Sequence, residues 1–466
     1  MEKITTDYLI VGSGAVGMAF ADTLLTDSDA DIVIVDKHHR PGGHWNIAYP
    51  FVRLHQPSAF YGVSSTELSD GRRDQVGLNK GLASLASGAE VIAYFDQVML
   101  ERFLPSGRVR YLPMHEYLGD GCCRSLLTGK TFEITARKHV DATYLKTSTP
   151  SNHTPQFSIG EDVRFIPLNG LPDLTDPPDR YVVIGAGKTG IDACLWLLEN
   201  GVDPDDIDWI MPRDGWLLDR ANAQPSMDFF EQVMGAQAAQ FEALAEASSI
   251  DDLFDRLEKA GNLLRVDKTV RPKMFHGATV SKPELEELRR IRSIIRLSRV
   301  TSLEVGKITL EHGTHETPAN TLFIDCSASA IPNLETKPVF EGDLITPQTV
   351  RSYQPVFSAS LIAHVEVTRE SEANKNRLCS VVPLPNHDTD WIRIMIPFMT
   401  NQYQWSQDRE LRDWLAENRL DGFARLARDY DRSDKAKKEI MTRLRAASMP
   451  AMAKLQTFNA QLEAMT

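Results

Sequence analysis

Two glycine triplets with one spacing stand in a chain of 466 residues: Gly12-x-Gly14-x-x-Gly17 and Gly185-x-Gly187-x-x-Gly190. Each follows a short apolar run, Tyr8-Leu9-Ile10-Val11 or Tyr181-Val182-Val183-Ile184. Each leads into a segment of helical spacing, Ala15 to Leu25 or Thr189 to Glu199. In a strand–loop–helix setting the three glycines have separate mechanical tasks. The first makes the tight turn, the second lets a pyrophosphate approach the backbone, and the third packs helix against strand. The helix then presents unpaired N–H groups and its positive dipole end to the phosphates. Two such units imply two dinucleotides on one polypeptide, and with them an electron-transfer enzyme.

The strand ends that follow distinguish the two nucleotides. Asp31-Ile32-Val33-Ile34-Val35 reads as the second strand of the first unit and ends on Asp36, with Lys37 beside it. This motif places a carboxylate there against ribose hydroxyls. In the second unit the corresponding strand, Asp208-Trp209-Ile210-Met211-Pro212, ends on Arg213, and Asp214 comes one step later. A guanidinium fork at that position suits a 2′-phosphate, and Lys188 and Thr189 in the loop add a charge and a hydroxyl, which favours NADPH over NADH. The competing reading is a surface salt bridge between Arg213 and Asp214.

The segment Asp36-Lys37-His38-His39-Arg40-Pro41-Gly42-Gly43-His44-Trp45 adds a third signal. An acid followed after five residues by G-G-x-W resembles the flavin-binding signature of class B flavoprotein monooxygenases, the group of flavin-containing, Baeyer–Villiger and N-hydroxylating enzymes. Tyr49 to Ser58 is similar to that family's loop beside the flavin ring. The resemblance implies FAD in the first unit, with Gly42, Gly43 and Trp45 against it and Asp36 replacing the usual glutamate. It further implies that NADPH reduces the flavin and that a C4a-peroxyflavin passes one oxygen of O2 to a small organic substrate. His55 and Gln56 become the candidate catalytic groups beside the ring, with Tyr61 a third. Val140-Asp141-Ala142-Thr143 and Ile324-Asp325-Cys326-Ser327 resemble the strand-end motifs at which such proteins cross between lobes, though Tyr144 and Ala328 stand in place of the family's glycine. Asp325 is thus expected among the cofactor-binding residues, where the chain returns to the first lobe. The family's linker signature, F-x-G-x-x-x-H, is half present: His153 and Phe157 match, whereas Thr147 and Thr149 occupy the upstream positions. That departure favours an alternative, an NADPH-dependent flavin reductase or dehydrogenase that does not use O2 as oxygen donor. A remoter reading, a non-catalytic nucleotide-binding redox sensor, is opposed by the intact glycines of both loops.

The elements that must position these residues form an α/β protein with two Rossmann-like dinucleotide-binding domains and a helical C-terminal segment. The expected order is residues 1–150, first part of the FAD domain; 151–178, a proline-rich linker; 179–315, the NADPH domain with a helical insertion at Asp228 to Ala260 and Pro283 to Arg296; 316–400, second part of the FAD domain; 401–466, helical. Strands are expected at 305–311 and 321–326, returning to the first lobe, and Val356 to Val367 and Trp391 to Ile396 show partial period-two alternation. Phe423, Leu426, Ala427 and Tyr430 mark one helix face, assigned to core packing. A substrate pocket is expected from the 216–300 and 350–420 regions.

Composition narrows the partners. Hydrophobic content of 42%, charged content of 25% and a net charge of −13 fit an ordinary globular chain and argue against nucleic acid, which wants a basic face. Five cysteines, with no C-x-x-C pair, do not support a disulfide reductase and fit a reducing compartment. No secretion signal and no membrane-spanning stretch is read, so a cytoplasmic location is expected. The histidines show no metal-ligand spacing.

Overall fold

The computed structural model describes residues 2–146, 148–328 and 334–465. Its framework is two sheets, the first mixed with a parallel centre and the second parallel throughout. The strands that build them are β1 (Glu2–Val11), β2 (Ile32–Val35), β3 (Val109–Leu112), β4 (Thr131–Asp141), β5 (Arg164–Pro167), β6 (Arg180–Ile184), β7 (Ile207–Ile210), β8 (Ser293–Ile295), β9 (Thr321–Asp325), β10 (Phe340–Glu341) and β11 (Leu344–Ile345). The first sheet runs β10-β11-β4-β1-β2-β3 and carries a hairpin, His115–Gly119 with Cys122–Ser125, against β4. The second runs β8-β7-β6-β9-β5. Strands buried on both faces read as apolar runs, as Ile32–Val35 does; Ile207–Ile210 is also buried at every position, with its one acid, Asp208, paired to Arg180.

Each sheet centres on the strand that precedes a glycine loop, and each loop opens a helix: α1 (Ala15–Asp27) in the first unit, α3 (Lys188–Glu199) in the second. Between them lies α2 (Gly88–Val98), closed by a capping box of Ser87 and Glu90. The second lobe adds α4 (Phe230–Glu246), α5 (Ile250–Lys259) and α6 (Lys282–Leu288). The chain ends in α7 (Pro355–Thr368), α8 (Glu372–Leu378), α9 (Asp390–Gln407), α10 (Arg409–Glu417), α11 (Phe423–Asp429) and α12 (Lys435–Met465).

Three expectations are corrected. First, β9 does not return to the first lobe. It lies in the second sheet between β6 and β5, parallel to both, with Asp325 level with Ile184. The strand at 307–310 is likewise part of a separate four-stranded sheet with 158–159, 300–304 and 313–316. Second, the proline-rich stretch is not only linker, because it contains 158–159 and β5. Prolines at its ends and in the Leu168–Asp173 turn leave these short strand pieces free to pair. Third, Val356–Val367 and Trp391–Ile396 are helical, in α7 and α9. α7 is buried from Val356 through Glu366 and packs lengthwise on α1, itself buried over most of its length. A helix apolar all round shows no 3.6-residue stripe, so its pattern does not separate it from a strand. In α9 the buried Trp391, Ile394 and Met395 keep helical spacing, and the alternating isoleucines were a coincidence of composition.

The helical insertion and the C-terminal segment form one body: α12 packs along α4 and α9. Leu426 and Tyr430 are buried against Phe230, Val233 and Met234, as core packing required. Among the described residues no helix is long and apolar enough to cross a membrane.

Candidate functional site

The first glycine loop is built by close backbone approaches. Gly12 has φ +101°, open to glycine at little cost, and its N–H donates to Val35 O at 2.8 Å. A Cβ on Gly17 would lie 2.0 Å from Gly12 O, so only glycine lets α1 start against the end of β1. Ala142 N donates back to Val11 O at 3.0 Å, tying the end of β4 beside the loop. Gly42 and Gly43 fold over it: Gly42 N donates to Ser13 O at 2.9 Å, and a Cβ on Gly43 would stand 2.9 Å from Gly14 Cα. Trp45 is buried behind this roof and donates from Nε1 to Tyr61 Oη at 2.7 Å. Tyr61 is therefore a partner of Trp45, and burial raises its pKa. Asp36 is buried at the end of β2. Its Oδ2 accepts from Ser13 N (2.6 Å) and Ser13 Oγ (2.8 Å), and Oδ1 accepts from His38 N (2.7 Å). A carboxylate offers about four lone-pair positions, so one on Oδ1 is left for a ribose hydroxyl. Ser13, missed in the sequence because the fingerprint leaves it free, holds the loop to that carboxylate. Lys37 is exposed at the same strand end.

The second loop repeats the frame. Gly185 has φ +129°, its N–H donates to Ile210 O at 3.1 Å, and a Cβ on Gly190 would again lie 2.0 Å from Gly185 O. Cys326 N donates to Ile184 O at 3.0 Å, the counterpart of Ala142 to Val11. Asp325 follows the same rule as Asp141. Each accepts through Oδ1 from the backbone and hydroxyl of the residue two further on, Ser327 or Thr143. Asp325 therefore stands beside the second loop and not beside the first. Gly187 faces open space, with nothing within 4 Å of a Cβ placed there. Thr189 is half-buried in the first turn of α3, and Lys188 pairs with Asp192 one turn on. Arg213 does not pair with Asp214, whose carboxylate takes both forks of Arg296 at 2.8 and 2.9 Å. Arg213 instead donates to Asn386 Oδ1 at 2.8 Å, and partial burial and the nearby Arg299 cation lower its pKa.

Two helices, then, begin at these loops with neither a side-chain cap nor an acid in the first turn. Ser or Asp caps α2, α5, α6, α8 and α10, whereas α4, α7, α9 and α11 also lack a side-chain cap; what sets the two loop helices apart is the missing cap together with the glycine loop before it. Uncapped N–H groups next to a gap that glycine keeps open fit an anionic pyrophosphate.

The two loops are joined by residues of the Tyr49–Ser58 segment. Tyr49 donates to Asp192 Oδ2 at 2.5 Å, and Phe51 stacks on Trp196 with ring centres 4.9 Å apart, so the segment lies along α3. His55 is close to Lys188 of the second loop. Burial, with Lys188 and Arg220 adding repulsion, drives its pKa down to about 3, and its Nδ1 is buried without a partner. His55 is therefore neutral at physiological pH and cannot serve as a proton store there. Its carbonyl accepts from Arg220 Nε at 3.0 Å, and Arg220, fully buried, forks onto Glu284 at 3.0 and 2.8 Å. Gln56 has no hydrogen-bond partner among the described residues. His153 meets Ser327 Oγ at 3.2 Å, close to Asp325. Thr147 lies outside the described residues; Thr149 caps a short turn through Asn152.

Residues 10–54 match the family described as NAD(P)-binding Rossmann-like domain, a span that takes in the first loop, Asp36 and Gly42 to Trp45. Over 426 residues the chain is 51% identical to uncharacterized protein Rv2000 of Mycobacterium tuberculosis, covering 91% of this chain and 79% of that protein. Among solved structures, a flavin-containing monooxygenase from Stenotrophomonas maltophilia is similar at a TM-score of 0.43 and 14% identity, over 78% of this chain and 97% of that one. The bacillithiol disulfide reductase Bdr (YpdA) from Staphylococcus aureus is similar at 0.47 and 12%, over 80% and 100%.

Proposed function

The chain belongs to the family of the mycobacterial protein Rv2000, and from there we propose that it is an NADPH-dependent, FAD-containing monooxygenase acting on a small organic substrate. The observation that carries this reading is the pair of uncapped, glycine-lined helix starts joined through Tyr49 and Asp192.

FAD, when bound, supplies hydride acceptance from NADPH and activation of O2; the residues hold and shield it. Gly12, Gly14 and Gly17 with the start of α1 take the FAD pyrophosphate, Gly42 and Gly43 close over it, and Trp45 backs them. Asp36 offers its remaining lone pair to ribose while Ser13 holds the other oxygen, and Lys37 lends positive charge at that strand end. Gly185, Gly187, Gly190, Lys188 and Thr189 take the NADPH pyrophosphate. Arg213 forks onto the 2′-phosphate, because it has no carboxylate of its own and no acid replaces it at the strand end. Asp325 fixes Ser327 beside the second loop. His55, neutral and with an unpaired Nδ1, and Gln56, with its amide free, orient the reacting end of the cofactors. Tyr49, Phe51 and Trp196 exclude water between the loops.

The alternative is an NADPH-dependent dehydrogenase. One observation favours it: His153 is engaged with Ser327, so the half-present linker signature has its histidine occupied.

Rapid mixing decides between them. Protein reduced by NADPH and then exposed to oxygen recovers its oxidised absorbance slowly, without prompt hydrogen peroxide, if it is a monooxygenase. Immediate recovery with one peroxide per flavin assigns the dehydrogenase. A yellow protein that NADPH binds but never bleaches leaves only the sensor.

A further inference from the structure

A cavity of about 140 Å³ lies where the second lobe meets the start of α7. It is walled by Leu145, Val382, Pro383, Leu384, Pro385 and Ile394, and it is edged by His276, Thr349, Ser352 and Tyr353. No charged side chain lines it. Its position ties it to both loops. Leu145 is two residues past Thr143, whose Cγ2 is 2.9 Å from where a Cβ on Gly12 would stand. On the other side His276 Nε2 is 3.1 Å from Asn386 Oδ1, the atom that accepts from Arg213.

The polar groups at its edge divide into satisfied and unsatisfied. Thr349 donates to Val382 O at 2.7 Å, and His276, its pKa lowered by burial, has Asn386. Ser352 Oγ and Tyr353 Oη are buried with no partner. Buried hydroxyls nearly always find one, and two neighbouring orphans beside an apolar cavity mark a place where a ligand supplies the acceptor. The backbone is also set for it. Tyr353 has φ +61°, a strained conformation for an aromatic residue, and its ring occupies space that only a glycine leaves: a Cβ on Gly277 would fall 2.1 Å from Tyr353 Cε1. Phe275 holds the ring edge-on at 5.8 Å. Several contacts thus hold one aromatic hydroxyl in a costly position.

We propose that this cavity binds the organic substrate, and that the substrate is a neutral, mostly apolar molecule of about single-ring size with one oxygen held by Tyr353 and Ser352. A cavity of this volume is about that which accommodates one benzene ring. A charged ligand would lose its hydration without gaining a counter-ion. As a substrate pocket the assignment rests on the monooxygenase reading; as a ligand pocket it does not.

The test is calorimetric titration of the purified full-length holoprotein with phenol, benzene and benzoate. Phenol is expected to bind one per chain, benzene at least about tenfold more weakly for want of the hydrogen bonds to Tyr353 and Ser352, and benzoate not measurably. Tyr353→Phe and Ser352→Ala should each weaken phenol several-fold and leave benzene unchanged. Equal binding of phenol and benzene, or phenol binding indifferent to both substitutions, overturns the proposal. So does phenol binding only after the flavin is stripped, because the space then belongs to the flavin. Flavin reduction by NADPH with no phenol binding sinks the pocket alone. Phenol binding that depends on Tyr353 in a protein that holds no flavin sinks the monooxygenase reading and keeps the pocket.

Discussion

At both glycine loops the same carbonyl-to-glycine approach, 2.0 Å for a Cβ on Gly17 and on Gly190, lets a helix start flush against a strand. At both, an aspartate at the end of the neighbouring strand folds back onto a hydroxyl two residues later. What surrounds them differs. The first loop is roofed by Gly42–Gly43 and clamped by Asp36 through Ser13. The second is uncovered at Gly187, and an arginine without an ion-pair partner among the described residues stands where the first has its acid. A backbone frame can thus be duplicated while its cover and its strand-end charge decide what is held and how firmly. Under the proposed function, this comparison assigns the first loop to a resident cofactor and the second to one that comes and goes.

The sharpest way to break that contrast is to fill the shared frame. Gly17→Val and Gly190→Val each force a side chain into a carbonyl, and each should cost about 3 kcal/mol of stability by thermal melting. Gly17→Val should emerge colourless, whereas Gly190→Val should stay yellow and fail to be reduced by NADPH. Loss of colour in both would mean that the loops are not separate sites. Next in size, Arg213→Ala should raise the KM for NADPH about ten- to hundredfold, the worth of a charge-assisted hydrogen bond, and leave NADH unchanged. Equal losses for the two coenzymes would remove the 2′-phosphate role.

The corrected place of Asp325 gives a finer comparison. Asp36→Asn should loosen flavin by about tenfold in equilibrium dialysis, because the Ser13 clamp loses its charged acceptor. Asp325→Asn should leave flavin retention intact and weaken only NADPH. A flavin-free Asp325→Asn protein would assign Asp325 to the first loop's cofactor instead. The smallest effect concerns acid. Burial lowers the pKa of His44, in the roof of the first loop, to about 4, and that of His55 to about 3, from an ordinary 6.5. Since the unfolded chain takes up these protons first, stability contributed by the neutral histidines is complete above about pH 6.5 and falls progressively as pH drops toward those values. Melting temperature measured from pH 7 to 4.5 should decline less steeply in His44→Gln than in the parent; identical slopes would deny His44 that part.

The glycine spacing made the two units legible because each glycine answers a local steric demand that no other residue meets. Asp36, Gly42–Gly43 and Arg213 were legible for the same reason: strand ends and tight turns are local. Asp325 was misplaced because its strand's partner is chosen by the sheet, a long-range event. The signal that could have corrected it was its own order: Asp141-Ala142-Thr143 follows the first fingerprint as Asp325-Cys326-Ser327 follows the second. α7 was misread because burial on every side erases periodicity, and α9 because its isoleucines happen to alternate along a half-buried helix. Ser13, Asp192, Asn386 and Tyr353 carry no sequence signature, since each matters only through a neighbour distant in the chain.

His153, on the way into the second lobe, touches Ser327, on the way out, and Tyr144 reaches Glu335 O at 2.6 Å across the same two passages. Entry and exit are thus laced into a double-stranded neck. With Tyr49 on Asp192 and Arg220 on the His55 carbonyl, the second lobe is pinned to the first at several separated points, so loosening any single one leaves the others to hold its orientation.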